Sequence, residues 1–404
     1  MTAQPFDAEA TGPLRGVKVV DLTINVLGPL ATQILGDMGA DVIKVEPPGG
    51  DPMRKLGPGH EIDLAAHFMA MNRNKRSLEL DLKRPEALAA LKALLATADV
   101  VVLSMRASAA ERLGLDHASL AAANPRLIYA AATGYAHDGP DRDRPAYDDV
   151  IQGESGLAGM IQRANGEARY APMAIADKFC GTQLASAIGM ALYARERTGR
   201  GQAVRLPMLE TMTAFNIVDH FWEAVFDKPC AKVGFPRMFT PHRRPYPTRD
   251  GHLSLLAITD AQWRRLFAAI GRPELADDPR FASLEGRTDN IDALYGLLGE
   301  AIAGETTAHW RQALDAADIP NAAMATLEDI FASPYLNDTG FFQRLEHPTA
   351  GPIRQMRPPI GFSDTPANLH RPQPALGADG RDVLREAGLD ADAIAAALHG
   401  RSGQ

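Results

Sequence analysis

From Val17 to Leu22 the chain reads VKVVDL, an apolar run of strand length, and Gly28-Pro29 then opens PLATQILGDMGA, where Pro29 suits a first helical position. DVIKVE follows at Asp41 to Glu46 as a second strand. This β-α-β grammar predicts an α/β fold with an open, mostly parallel sheet and helices on both faces. It repeats. NRNKRSLELDL alternates like a strand, PEALAALKALLATA from Pro85 like a helix, and DVVVL from Asp99 to Leu103 like a strand; ASAAERLG is a short helix closed by Gly114, and PRLIYAAATGY is a further strand ending in a glycine turn.

Leu184, Ile188 and Leu192 recur four apart between Phe179 and Arg197, so one apolar stripe runs along a helix, and Gly199 stands where a C-cap is wanted. AVRLPML then reads as another strand. From Pro229 to Arg249 periodicity fades among prolines at 229, 236, 241, 245 and 247, which marks a linker or ligand-edge loop and a plausible domain boundary. A second α/β or α+β unit follows: HLSLLAI as a strand, AQWRRLFAAI as a helix, and helical stretches from Ile291 to Ala303 and Thr307 to Ala317. Beyond Gly351 the text is Pro-rich and extended, and two short helical pieces flank Gly388.

The 404 residues suffice for at least two domains, and 46% hydrophobic with 23% charged residues excludes a disordered chain. With 42 basic against 50 acidic residues the net charge is −8, which argues against a nucleic-acid partner. No apolar run approaches the roughly 20 residues a bilayer span needs, so no membrane partner is expected. The opening MTAQPFDAEATG lacks a basic n-region and an apolar core, and only Cys180 and Cys230 occur; both point to a cytoplasmic chain.

The first β-α-β invites a dinucleotide reading, with Glu46 placed to bind ribose. The turn TINVLGP has Gly28 alone where Gly-x-Gly-x-x-Gly is required, so that reading fails. Neither a P-loop nor HExxH nor Cys-x-x-Cys is present, and no metal is expected. Arg73, Lys75 and Arg76 crowd one loop and could hold phosphates, or could be a solvated face; Arg106 and Arg112 follow the DVVVL strand, where open α/β sheets bind ligands. Asp177 in PMAIADKFCGTQ precedes the helix of Leu184. Its carboxylate could accept helix-terminal amides and stay ionised as a nucleophile, or be a plain N-cap worth about 1 kcal/mol. Cys180, without a base near it in sequence, reads as a buried small thiol.

Taken in order, LRGVKVVDLT, GPLATQILGDMGADVIKVEPPGGDPMR, NRNKRSLELDLK, ERLGL, NPRLIYAAATGY, GPDRDRPAYDDVIQGESGL, ARERTGRGQAV, YPTRDG and EHPTAGPI resemble the family III CoA-transferases, the CaiB/BaiF group, from Leu14 to about Leu398. The resemblance implies a Rossmann-like large domain built from both chain ends (1–225 and 336–404), a smaller inserted α/β domain (226–335) and an interlocked homodimer. It implies that Asp177 attacks an acyl-CoA thioester, giving an aspartyl-acyl anhydride and then an enzyme-CoA thioester that a second carboxylic acid resolves. No tightly bound cofactor is implied, only coenzyme A or acyl-CoA as substrate. Its pattern assigns CoA binding to Asn25, Val26 and Leu27, to Asn72, Asn74, Lys75 and Arg76, to Ser104, Met105, Arg106 and Arg112, and to Thr133, Gly134 and Tyr135.

Three departures bear on that pattern. Ser104-Met105-Arg106-Ala107-Ser108 replaces the family's Asn-Phe-Arg-Pro-Gly, so methionine stands where an aromatic would cover adenine. The glycine run of formyl-CoA transferases is missing between Cys230 and Asp250, which argues for an acid other than formate or oxalate. The related α-methylacyl-CoA racemases need the histidine of Gly-His-Asp; here Ala146-Tyr147-Asp148 occurs, and a phenol near pKa 10 is a poor base at neutral pH. Transferase is therefore favoured over racemase, with a non-catalytic CoA-binding protein as a further alternative, and Tyr147 and Asp148 become candidate acyl-pocket residues.

Overall fold

The computed structural model describes residues 3–398. The chain divides into two units: Met1–Ser155, Ala171–Thr213 and Asp338–Gln404 form the first, and Gly156–Tyr170 with Ala214–Asn337 form the second. The second unit therefore begins earlier than the predicted insert at 226 and takes in a separate piece at 156–170. The reason is local: VRLPML does not continue as a strand past Pro207, because helix Met208–Ile217 starts immediately and carries the chain out of the first unit.

Six parallel strands make the sheet of the first unit: β1 Lys18–Leu22, β2 Asp41–Glu46, β3 Lys75–Glu79, β4 Val100–Leu103, β5 Ile128–Thr133 and β6 Ala203–Pro207. Their order is β3-β2-β1-β4-β5-β6. The central strands are covered on both faces, which is why they read as unbroken apolar runs instead of alternating. Helix Leu27–Asp37, here α1, joins β1 to β2. Helix Pro85–Ala96 has proline at its start and buries Ala87, Leu91, Leu94 and Leu95 against the sheet, in a core with Val20, Ile43, Leu78 and Val101. Gly114 ends helix Ala107–Leu113 in the left-handed region at φ 64°, as its sequence position predicts.

The returning C-terminal segment completes this unit. Asp379 accepts the Ser77 backbone N–H at 2.8 Å, and Asn74 accepts from the backbone of His370 and Arg371, each at 2.9 Å. Helix Gly380–Glu386 adds Val383 and Leu384 to the same core. Of the Pro-rich stretch that reads as extended, Gly351–Met356 pairs antiparallel with the preceding Phe342–His347.

In the second unit the three strands Tyr246–Pro247, His252–Leu255 and Asn321–Ala323 pair antiparallel. Helices Asp260–Ala269, Ile291–Ile302 and Thr307–Ala316 supply a core of Trp263, Phe267, Leu294, Leu298, Trp310 and Leu314. Among the described residues no helix is long and apolar enough to cross a membrane.

Candidate active site

Strand order reverses between β1 and β4, and in open α/β sheets the crevice beyond the strand ends at such a point is where ligands sit. A cavity of about 290 Å³ opens there. Leu22 at the end of β1, Ser104 just past β4 and Thr133 at the end of β5 all line it. So do Asn25, Val26, Leu27 and Gly28 at the start of α1, whose first-turn N–H groups have no intrahelical partners and favour negative charge.

Asp177 lines the same cavity from helix Ile175–Thr198. Two residues place it there. A Cβ on Gly181 would lie 2.6 Å from the Leu27 carbonyl oxygen, so only glycine lets this helix approach the start of α1, and Asp177 stands one turn earlier on the same face. The second is Asp148: its carboxylate accepts the backbone N–H of Asp177 at 2.9 Å. Gln152 donates to the other Asp148 oxygen and accepts the Ala171 N–H at 2.9 Å, which fixes the acid in place.

Asp177 is thus not an N-cap. Ala174 holds that position without a side-chain acceptor, and the Asp148 carboxylate satisfies an orphan amide of the first turn instead. The expected stabilisation of ionised Asp177 is also reversed. Burial, and behind it the Asp148 carboxylate, pushes the Asp177 carboxyl up to about 7, because neither a low-dielectric wall nor a like charge favours a second anion. Cys180 is fully buried, and burial with the Asp177 and Asp148 charges raises its thiol to about 12. It stays protonated at neutral pH and offers no thiolate.

Of the predicted CoA-binding residues, Asn25, Val26, Leu27, Ser104, Met105, Arg106, Thr133 and Gly134 converge on this cavity, and exposed Tyr147 joins them. Arg106 forms no ion pair among the described residues and faces solvent. Tyr135 does not reach the cavity; its ring is buried and its hydroxyl donates to Glu154 at 2.9 Å. Arg112 is exposed on helix Ala107–Leu113, outside the lining. Asp148 is buried beside Asp177, with its oxygens committed to the backbone of Asp177 and to Gln152.

The segment of Asn72, Asn74, Lys75 and Arg76 requires a correction, and its last two residues open β3 instead of lying in a loop. All four residues are buried and bound internally, away from the cavity. Asn72 accepts from Lys75, whose ammonium is 3.1 Å from Asp21; Asn74 donates to Asp37 at 2.8 Å; Arg76 pairs with Asp41 and Glu386. Arg73 makes a bidentate pair with Asp37 at 2.9 and 2.7 Å. Spacing along the chain could not reveal the acids these cations meet, because Asp21, Asp37 and Asp41 arrive from neighbouring elements of the β-α-β unit.

These buried charges position the loop between β1 and α1. Burial alone would raise the Asp21 carboxyl, but the Lys75 and Lys44 ammoniums beside it bring it down to about 2. Asp21 in turn accepts from the Thr23 and Thr32 hydroxyls. Lys44 reaches the Thr23 carbonyl at 2.9 Å and Asp51 at 2.8 Å, and Asp51 accepts the Asn25 N–H at 3.3 Å. Asn25 can therefore hold a left-handed φ of 68° at the mouth of the cavity.

Sequence reasoning missed Arg142 and Arg144, which line the cavity from the DRDRP run. The signal was present as two basic residues in a loop, but each alternates with an acid. Arg142 pairs with Glu111 at 3.1 Å and Asp143 at 3.3 Å, and Arg144 pairs with Glu154. Among the described residues no group of three or more His, Cys, Asp and Glu could hold a metal ion.

Residues 14–380 match the family model for CoA-transferase family III. The chain is 36% identical over 390 residues to the succinate–glutarate CoA-transferase of Agrobacterium fabrum, covering 93% of this chain and 95% of that one. It is 30% identical to the human succinyl-CoA:glutarate CoA-transferase, covering 93% and 86%. Its fold superimposes on the crystal structure of an aspartate-to-alanine mutant of Rv3272 from Mycobacterium tuberculosis with a TM-score of 0.82, at 30% identity and covering 93% of this chain and 99% of that one. A crevice at the sheet reversal, a helix start suited to anions and similarity along nearly the whole chain agree, and this protein is an enzyme of the family III CoA-transferases, the CaiB/BaiF group.

Proposed function

We propose that the protein moves CoA from an acyl-CoA donor to a free carboxylic acid through covalent intermediates on Asp177. The observation that carries this reading is a carboxylate set at the start of a helix, in the crevice beyond β1, β4 and β5, with the first turn of α1 lining the same crevice. An Asp177 oxygen attacks the thioester carbonyl carbon; the C–S bond breaks, leaving an aspartyl-acyl anhydride and CoA thiolate. The thiolate attacks the Asp177 carbonyl, releases the donor acid and forms an aspartyl-CoA thioester. The acceptor carboxylate then displaces the thiolate to give a second anhydride, and thiolate attack on the acceptor acyl carbon yields the new acyl-CoA and frees Asp177. The α1 amides are placed to favour the oxyanion of each step, and burial leaves the attacking carboxylate poorly solvated.

CoA would lie along Asn25, Val26 and Leu27, with Thr133 and Gly134 beside the pantetheine arm, Met105 toward the adenine, and Arg106 toward phosphate. Arg106→Ala is expected to weaken CoA binding about tenfold, as loss of a charge-assisted contact does, whereas Arg112→Ala leaves it unchanged. Titration calorimetry with CoA decides this; equal Kd values for Arg106→Ala and wild type would remove Arg106 from the site.

The attacking form of Asp177 is the anion, so kcat/KM should rise with pH through about 7 and level off above it. In Asp148→Asn the midpoint should fall partway toward the ordinary carboxylate value near 4, because the like charge is gone while the larger cause, burial, remains. A pH–rate profile with an unchanged midpoint would separate the two acids.

Relatives named for succinate and glutarate support a short dicarboxylic acid as one substrate. Mixing the protein with succinyl-CoA and glutarate should give glutaryl-CoA without net hydrolysis. Exchange of an α-proton for deuterium in D2O, with no CoA transferred, would favour the racemase reading instead. The family likeness further supports an interlocked homodimer, for which sedimentation should detect no folded monomer.

A further inference from the structure

The second unit contains a cavity of about 280 Å³ that is separate from the crevice described above. Three guanidinium-bearing residues, Arg237, Arg243 and Arg244, line it, together with Tyr246, Trp263 and Tyr295. No acidic residue lines it, and none of the three arginines forms an ion pair among the described residues.

The arginines are held on a stiff loop. Short helix Pro236–Phe239 begins with proline, Pro241 and Pro245 bracket His242, Arg243 and Arg244, and strand Tyr246–Pro247 follows directly. Thr240 is buried; its carbonyl accepts the Arg243 N–H at 3.1 Å and its hydroxyl accepts the His242 N–H at 3.3 Å. Arg237 donates to the Tyr295 hydroxyl at 2.8 Å, which orients one guanidinium on the buried wall. Little backbone freedom is left to lose when a ligand enters.

We propose that this cavity binds a short dicarboxylic acid. The planar forks of arginine match carboxylate oxygens two at a time, and three guanidiniums with no ion pair among the described residues leave a positive charge that one carboxylate alone does not neutralise. The aromatic wall, with Tyr246 and Trp263 buried, supplies apolar surface for the methylene chain. The proposal goes beyond the transferase reading by placing a small-acid site outside the crevice, and it rests on that reading only for the choice of glutarate as the acid.

The test is equilibrium binding of glutarate and of butyrate to the full-length protein without CoA, so that no turnover is required and the outcome is independent of Asp177. Arg243 and Arg244 are exposed, and the double variant R243Q/R244Q is expected to fold normally, which its circular dichroism checks. Glutarate should bind at least about tenfold more tightly than butyrate, and the double variant should lose that preference. Equal binding of the two acids, or glutarate binding that survives R243Q/R244Q, overturns the proposal. Failure of CoA transfer with intact glutarate binding would instead count against the role given to Asp177.

Discussion

Asp177→Asn should abolish CoA transfer and at the same time make the protein more stable. Loss of an attacking group typically costs on the order of 10⁴-fold or more in rate. The stability gain follows from the raised carboxyl. An Asp whose value is 3.8 when unfolded and about 7 when folded binds more protons in the native state across that window. Stability of the wild type therefore falls as pH rises from about 4 to 7, and the whole loss is present above 7. Asparagine carries no charge to desolvate and none to oppose Asp148. The variant should be roughly 1–4 kcal/mol more stable than wild type at pH 8 and no more stable near pH 4. Denaturant melts at the two pH values check this, and an equal difference at both would mean that the carboxylate is not strained by its surroundings. A site that destabilises its own fold is the expected trade between stability and activity.

The second large effect concerns Lys75. Its ammonium is fully buried and reaches Asp21, Asn72 and the Pro29 carbonyl at 2.9 to 3.1 Å. Truncating one partner of a buried pair strands the other charge, so Lys75→Ala should lose about 3–5 kcal/mol of stability. Protein that remains folded should bind CoA through the same crevice groups, since Lys75 does not line it. Chemical denaturation with parallel CoA titration separates the roles: normal stability with weakened CoA affinity would return Lys75 to phosphate binding.

These two residues also show how far the sequence could be read. The strands β1, β2, β4 and β5 lie where apolar runs predict them, because buried parallel strands leave a one-dimensional signature. The end of β4 was legible as a ligand edge from the residues alone, whereas the start of α1 and the end of β5 came only with the family resemblance. Lys75 and Arg76 were not, since a cation in a loop looks the same whether it faces phosphate or a carboxylate brought by another strand. Asp177 stands out in the sequence, but the structure shows neither a plain N-cap nor a carboxylate kept ionised by helix-terminal amides; its burial, and Asp148 29 positions away, raise its proton affinity, and neither is visible in local sequence. Helices Asp148–Glu154 and Met208–Ile217 were hidden by short length and by an apolar run that continues past Pro207.

One measurement bears most directly on the covalent role of Asp177: mass analysis of the peptide containing it after brief incubation of the protein with succinyl-CoA and no acceptor acid. The mechanism predicts that this peptide carries CoA as a thioester, that added acid removes it, and that Asp177→Asn never acquires it. Turnover in which no adduct forms on that peptide, or an adduct that forms equally on the Asn variant, would contradict the account.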